Sequence, residues 1–246
     1  MTATELERAL ALAGLSAPVY WHEVTGSTNA LAADLAEAGA PQWTLVGAGH
    51  QTAGRGRLGR TWVDRPGGAL MTSLVLRPAV APEALGLLTL LAGAAWAEAA
   101  REISGLDVRC KWPNDLLVGG AKAGGMLASS SVAGHEVRWV VVGSGLNLEA
   151  PDVEGSTGLG DLDRVALLGG FLMRVRQSLE APSFAEDVVA RWSDVAATLG
   201  RRVAAAGVDG TRLEGLAIAV DALGRLIVET VDGRAAVASE QVEHLR

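Results

Sequence analysis

Apolar residues change their period several times along this chain, and each change predicts an element. Residues 4–14 form a short amphipathic helix pattern, and PVYWHEVT at 18–25 alternates in the manner of a strand. Ser27 or Thr28 is then placed to cap a helix whose Leu31 and Leu35 face the core and which ends at Gly39. WTLVGAG (43–49) predicts a buried strand, GALMTSLVLRP (68–78) another that stops at Pro78, and residues 82–103 a long helix. The stretch 107–132 predicts short strands, a proline-containing turn and a hairpin around Gly119-Gly120. Residues 136–148 predict a strand with a glycine break, and 161–180 and 183–198 predict two helices, the second followed by Gly200. From 199 onward, short alternating runs are split by Asp209-Gly210, Leu223-Gly224-Arg225 and Asp232-Gly233. They predict a small antiparallel barrel or sandwich of about five strands. The pattern describes an α+β chain, with a mixed or antiparallel sheet flanked by helices over 1–198 and a small β domain over 199–246.

Composition narrows the function classes. With 246 residues, 49% of them hydrophobic, the chain is able to bury a full core, and its net charge of −7 argues against general nucleic-acid binding. An anion site must therefore be a local cluster of cations. The single cysteine, Cys110, excludes an internal disulfide framework and a cysteine zinc site, which fits a reducing, cytoplasmic setting. His22, His50, His135 and His244 are scattered without metal spacing, so no metal site is expected. The N-terminus carries Glu5 and Glu7 and no basic run, unlike a signal peptide. The apolar run 84–100 is slightly short for a membrane span, and Glu83, Glu98 and Arg101 bound it, so a buried core helix is expected and no membrane. Of 21 basic residues only Lys111 and Lys122 are lysines, which singles out two positions for a compact ammonium.

HQTAGRGRLGR (50–60) holds Gly54, Gly56 and Gly59 in the order G-x-G-x-x-G, interleaved with Arg55, Arg57 and Arg60. A dinucleotide fingerprint needs a helix opening at the third glycine and an acid about 20 residues on. Pro66, Gly67-Gly68 and a strand follow instead, and LVLRPA at 74–79 has no acid. No Gly-Lys-Ser/Thr follows either, which excludes a P-loop. What remains is a glycine loop carrying three guanidinium groups, suited to phosphate or carboxylate, or a solvated basic loop.

The loop, preceded by Gln51, resembles the adenylate-binding loop of biotin protein ligases. TGSTN (25–29) resembles that family's Ser-Thr-Asn segment, KWPND (111–115) its most recognisable pentapeptide, KAGGML (122–127) its Lys-x-x-Gly-x-Leu segment and GSGLN (143–147) its Gly-x-Gly-x-Asn segment. The five occur in family order, and both lysines fall inside them. After KAGGML, where the family often has an acid, the run is Ala128, Ser129, Ser130, Ser131. The resemblance implies a catalytic domain like that of class II aminoacyl-tRNA synthetases, an SH3-like C-terminal barrel, and the ligase-only class without an N-terminal DNA-binding domain.

It also implies two half-reactions. Biotin's carboxylate attacks the α-phosphate of ATP to give biotinyl-5′-AMP and pyrophosphate. A lysine amine of a biotin carboxyl carrier protein domain then takes the biotinyl group and releases AMP. ATP with Mg²⁺ and biotin are thus substrates, with no tightly held prosthetic group; the partner is the carrier domain, not DNA, and the enzyme is a monomer or weak homodimer. Two like charges about 4 Å apart repel by about 4 kcal/mol at an effective dielectric near 20, so fixed cations are required. Lys122 is expected at the carboxylate and α-phosphate, Arg57 on the intermediate, and Arg55, Arg60 and Lys111 beside them. Asp115 is expected to accept or orient the incoming amine, or else to be a turn residue paired with Lys111. Ser27, Thr28, Asn29 and Gln51 are candidates for the cyclic urea. Gly54, Gly56, Gly125 and Gly143 are expected along the tail, and Asn114 and Asn147 at the nucleotide. Trp62 either stacks on adenine or anchors the loop, and Trp112 forms either the adenine-side wall or, the reading preferred, core. The loop is expected to be mobile without ligand. A lipoate-type ligase of the same fold group and a non-catalytic binding module remain the alternatives.

Overall fold

In the computed structural model, residues 1–206, 212–237 and 242–245 are described. Seven strands form one mixed sheet: β1 (Val19–Thr25), β2 (Leu45–Gln51), β3 (Ala69–Leu76), β4 (Val108–Lys111), β5 (Asp115–Val118), β6 (Ala121–Ala133) and β7 (Glu136–Asn147). Their order is β1-β2-β3-β7-β6-β5-β4, with β1 and β2 parallel and every other neighbouring pair antiparallel.

The two faces of the sheet have different partners because side chains alternate along each strand. Val46, Val75, Trp139 and Val141 pack under helix α2 (Thr28–Glu37) through Ala32 and Ala36. Leu45, Leu74, Val140 and Val142 face the larger core with α1 (Ala3–Leu12), α3 (Gly86–Ser104), α4 (Arg164–Leu179) and α5 (Phe184–Asp194). The small face of α2 is thus the buried one, and Leu31 and Leu35 flank it half-buried. Small residues let this helix lie close to the sheet.

The apolar run at 84–100 is a core helix. Twelve residues of α3 are buried, and Trp96 stacks on Phe171 of α4 with ring centroids 4.0 Å apart. Helix ends were less legible. Asp163 accepts from the amides of Val165 and Ala166, so α4 starts at Arg164 rather than 161. Helix α5 stops at Asp194 rather than 198, and the chain beyond it runs parallel to β4, with Cys110 bridged to Ala196. Ser27 occupies the cap position of α2 in an extended conformation but makes no capping bond, contrary to expectation.

A second, five-stranded antiparallel sheet follows, with β8 (Arg202–Ala206), β9 (Arg212–Val220), β10 (Leu226–Thr230), β11 (Gly233–Val237) and β12 (Val242–His244) in the order β11-β10-β9-β8-β12. Gly224 and Gly233 have left-handed φ of 80° and 122°, as their turns require. The Asp-Gly turn expected at 209–210 lies outside the described residues.

Candidate active site

A cavity of about 300 Å³ opens between the N-terminus of α2, the glycine-arginine loop and the ends of β5, β6 and β7. The structure brings together Ser27, Thr28, Asn29, Gln51, Arg55, Gly56, Arg57, Arg60, Trp62, Lys111, Asn114, Asp115, Lys122, Gly125 and Gly143 on its walls.

One end is polar and already organised. The amide and hydroxyl of Thr28 both donate to Gln51 Oε1, at 2.8 and 3.1 Å, and the Ser73 hydroxyl donates to Thr28 Oγ1 at 2.9 Å. Asn29 Nδ2 donates to the Leu127 carbonyl at 3.0 Å, while its Oδ1 accepts from Ser129 at 2.7 Å. Thr28 and Asn29 are therefore braced by the protein itself, and Gln51 Nε2 donates one hydrogen to Met71 Sδ at 3.3 Å, which leaves the Ser27 hydroxyl and the second Gln51 amide hydrogen as the better-placed groups for a ligand. Gly143 has a physical reason: a Cβ there would sit 2.8 Å from Asn29 Nδ2.

The other end is charged. Arg55, Arg57, Arg60, Lys111 and Lys122 line it against a single carboxylate, Asp115. Lys122 Nζ lies 2.6 Å from Asp115 Oδ1, so the partner of Asp115 is Lys122 rather than Lys111, although Lys111 stands opposite it in the strand register. Asn114 Oδ1 accepts from Arg57 at 3.3 Å, and its Nδ2 donates to the Met126 carbonyl at 2.9 Å. Burial pulls the Arg57 guanidinium below the usual arginine range, opposed by Asp115 and assisted by Arg60.

The loop is a small hairpin. The Gly56 amide donates to the Arg60 carbonyl at 2.7 Å, and the Trp62 amide to the Gly54 carbonyl at 3.0 Å. Leu58 at its tip has φ 57° and Gly59 φ 74°, so the chain turns back through one distorted 3-10 turn at Arg57–Gly59 and no α-helix opens. Trp62 then folds inward. A Cβ on Gly145 would lie 2.7 Å from its ring, so only glycine lets the indole rest on β7. The buried Trp62 Nε1 has no hydrogen-bond partner among the described residues.

Two expected residues do not line the cavity. Gly54 is buried behind it at the loop's neck, where a Cβ would meet the Trp62 carbonyl at 2.7 Å. Asn147 is 4% exposed and its amide donates to the carbonyls of Lys122 and Thr157 at 3.4 and 3.2 Å, so it ties strands rather than facing the nucleotide. Trp112 is 2% exposed, as a core residue is, and also borders the cavity. Sequence reasoning missed Gly145 and the braces Ser73 and Ser129. Gly145 was legible from Gly143, two positions away on the same strand face. The three serines that depart from the family pattern gave no sign that one of them holds Asn29. Among the described residues, no group of three or more His, Cys, Asp or Glu side chains is placed to hold a metal.

A profile described as the biotin/lipoate A/B protein ligase family matches residues 21–147. The chain belongs to that family. Its resemblance extends well past the matched core. The bifunctional ligase/repressor BirA of Bacillus subtilis is 32% identical over 92% of this chain and 73% of its own. The biotin–[acetyl-CoA-carboxylase] ligase of Mycobacterium tuberculosis is 35% identical over 90% of this chain and 87% of its own. Among solved structures, the biotin protein ligase of Aquifex aeolicus in complex with biotin and ATP superposes with a TM-score of 0.77 at 27% identity, over 93% of this chain and 99% of that one. The family membership covers both ends of the cavity, since Ser27 through Gly143 fall inside the matched span.

Proposed function

We propose that this family member is a biotin protein ligase that activates biotin with MgATP and transfers it to a lysine of a carboxylase carrier domain. The observation that carries the reading is the division of one cavity into a braced polar slot and a wall of five cations. A cyclic urea offers one acceptor and two donors; the Ser27 hydroxyl is placed to donate to or accept from it, and the Gln51 amide hydrogen not directed at Met71 to donate to its oxygen. The wall of cations suits the opposite end, where carboxylate and triphosphate repel.

In the first step a carboxylate oxygen of biotin attacks the α-phosphorus and pyrophosphate leaves. Lys122 turns from Asp115 towards the two anions, while Arg57 holds the phosphate of the mixed anhydride. The Trp62 indole N–H, without a partner among the described residues, supplies a further donor. In the second step the carrier amine attacks the anhydride carbonyl and AMP leaves. Asp115, relieved of Lys122, orients that amine. The reading assigns the catalytic role to 1–198 and a supporting role to 199–246, and places the enzyme in the cytoplasm.

Calorimetric titration with biotin and with lipoate, followed by an assay of pyrophosphate release, tests the reading. Biotin is expected to bind and to trigger release. Release triggered by lipoate and not by biotin would replace this activity with the lipoate-type one.

A further inference from the structure

Among the described residues, the backbone and indole hydrogen bonds on the outer side of residues 110–112 are made by chain beyond residue 194. The Cys110 amide donates to the Val195 carbonyl at 2.8 Å, and the Cys110 carbonyl accepts from Ala197 at 2.7 Å. The next rung is made by a side chain: the Trp112 amide donates to Thr198 Oγ1 at 2.9 Å. The Trp112 indole then donates to the Gly224 carbonyl at 3.1 Å, in the turn between β9 and β10. Lys111, Pro113, Asn114 and Asp115 on either side of Trp112 line the cavity, and the 2%-exposed Trp112 borders it.

The two acceptors are themselves fixed. Thr198 is fully buried and its oxygen also lies 3.1 Å from His244 Nε2. The Thr198 oxygen thus accepts from the Trp112 amide and shares a second hydrogen bond with His244, whose direction the imidazole tautomer sets. The Gly224 turn is held by Asp221, which accepts from the amides of Leu223 and Arg225 at 2.9 Å each. Gly224 faces Gly86 at the start of α3, and a Cβ on it would lie 3.1 Å from that backbone at a φ of 80°. The turn therefore sits against the helix with no room for a side chain.

We infer that Trp112 is a positioning residue: through Thr198, in the link after α5, and Gly224, in the β9–β10 turn of the C-terminal sheet, the chain beyond α5 sets where Lys111, Asn114 and Asp115 stand in the cavity. This rests on the ligase reading for its kinetic consequence but not for its structural one. The polar slot, built on α2 and β2, does not depend on the clamp. Loosening it acts on the charged end, where the nucleotide binds.

The experiment uses the full chain and the variants Trp112→Phe, Thr198→Val and Thr198→Ser. Trp112→Phe keeps a ring and removes the indole donor; Thr198→Val removes the acceptor; Thr198→Ser restores it. Loss of one buried hydrogen bond corresponds to about a tenfold change in an equilibrium. The expected result is a KM for MgATP raised about tenfold in Trp112→Phe and Thr198→Val, with biotin affinity retained and Thr198→Ser close to the parent. Amide hydrogen exchange at residues 111, 112, 114 and 115 is expected to quicken in Thr198→Val without any ligand. Variants with the parent's KM and parent-like exchange would overturn the inference, as would equal losses of biotin and MgATP binding, which signal general unfolding. A parent protein that releases no pyrophosphate with biotin overturns the ligase reading instead, and the exchange comparison still decides the clamp.

Discussion

At Gly143 a single added methyl would reach within 2.8 Å of the Asn29 amide and break its brace to Leu127 and Ser129. Gly143→Ala is accordingly expected to weaken biotin binding at least about tenfold, an effect of the size of one or two lost hydrogen bonds. Titration calorimetry checks it, and an unchanged affinity would mean that Asn29 does not shape the slot. Arg57 and Lys122 act on charge that develops during adenylation. Removing either as Arg57→Ala or Lys122→Ala is expected to lower the rate of pyrophosphate release by about a hundredfold or more. A drop confined to KM would show that they bind substrate without favouring the transition state. Residue types at the site were legible because the chemistry demands them; their partners were not. Asp115 has Lys111 and Lys122 both at hand in the sheet, and only the bulge between Leu116 and Leu117 brings the second within 2.6 Å.

Elements were legible wherever one period ran long. Helix α3 was readable as a core helix from its composition, and its anchor is Trp96, stacked on Phe171 and donating to Ser144 at 2.9 Å beneath the cavity floor. Trp96→Ala is expected to cost about 3–5 kcal/mol of stability, read from the urea midpoint. A loss under about 1 kcal/mol would deny Trp96 that role. The face of α2 was read in part: Leu31 and Leu35 do pack against the core, half-buried, while close helix–sheet approach gives the fully buried positions to Ala32 and Ala36. The loop from Gly54 to Trp62 rests mainly on its own backbone bonds, and its arginines at 55 and 60 are exposed. Trypsin is expected to cut there in the free protein and to be held off by biotin with MgATP. Equal cutting with and without ligand would show that the loop does not close.

For the whole molecule, the α+β class and the tail's β character followed from periodicity, but the contact between them did not. Trp112 meets Thr198 and Gly224 across 86 and 112 positions of sequence, and no local pattern carries such a pairing. The same junction makes stability sensitive to acid. Burial, then Lys111 and Arg201, pull the half-buried His244 imidazole down to about 4. Between the ordinary histidine value near 6.5 and that value, the unfolded chain holds a proton that the folded chain does not. This group therefore supports the fold above about pH 6.5, loses that contribution as pH falls to about 4, and adds no slope below. Urea midpoints across that range are expected to fall more steeply in the parent than in His244→Asn; identical slopes would remove His244 from the account. The charge of the molecule, −7 overall with five cations gathered on one wall, leaves the cavity as the natural place for anions. The most direct test is the intact mass of a biotin carboxyl carrier domain after incubation with this protein, biotin and MgATP. The account predicts one biotinyl increment on one lysine, dependent on both small molecules; a carrier of unchanged mass would contradict it.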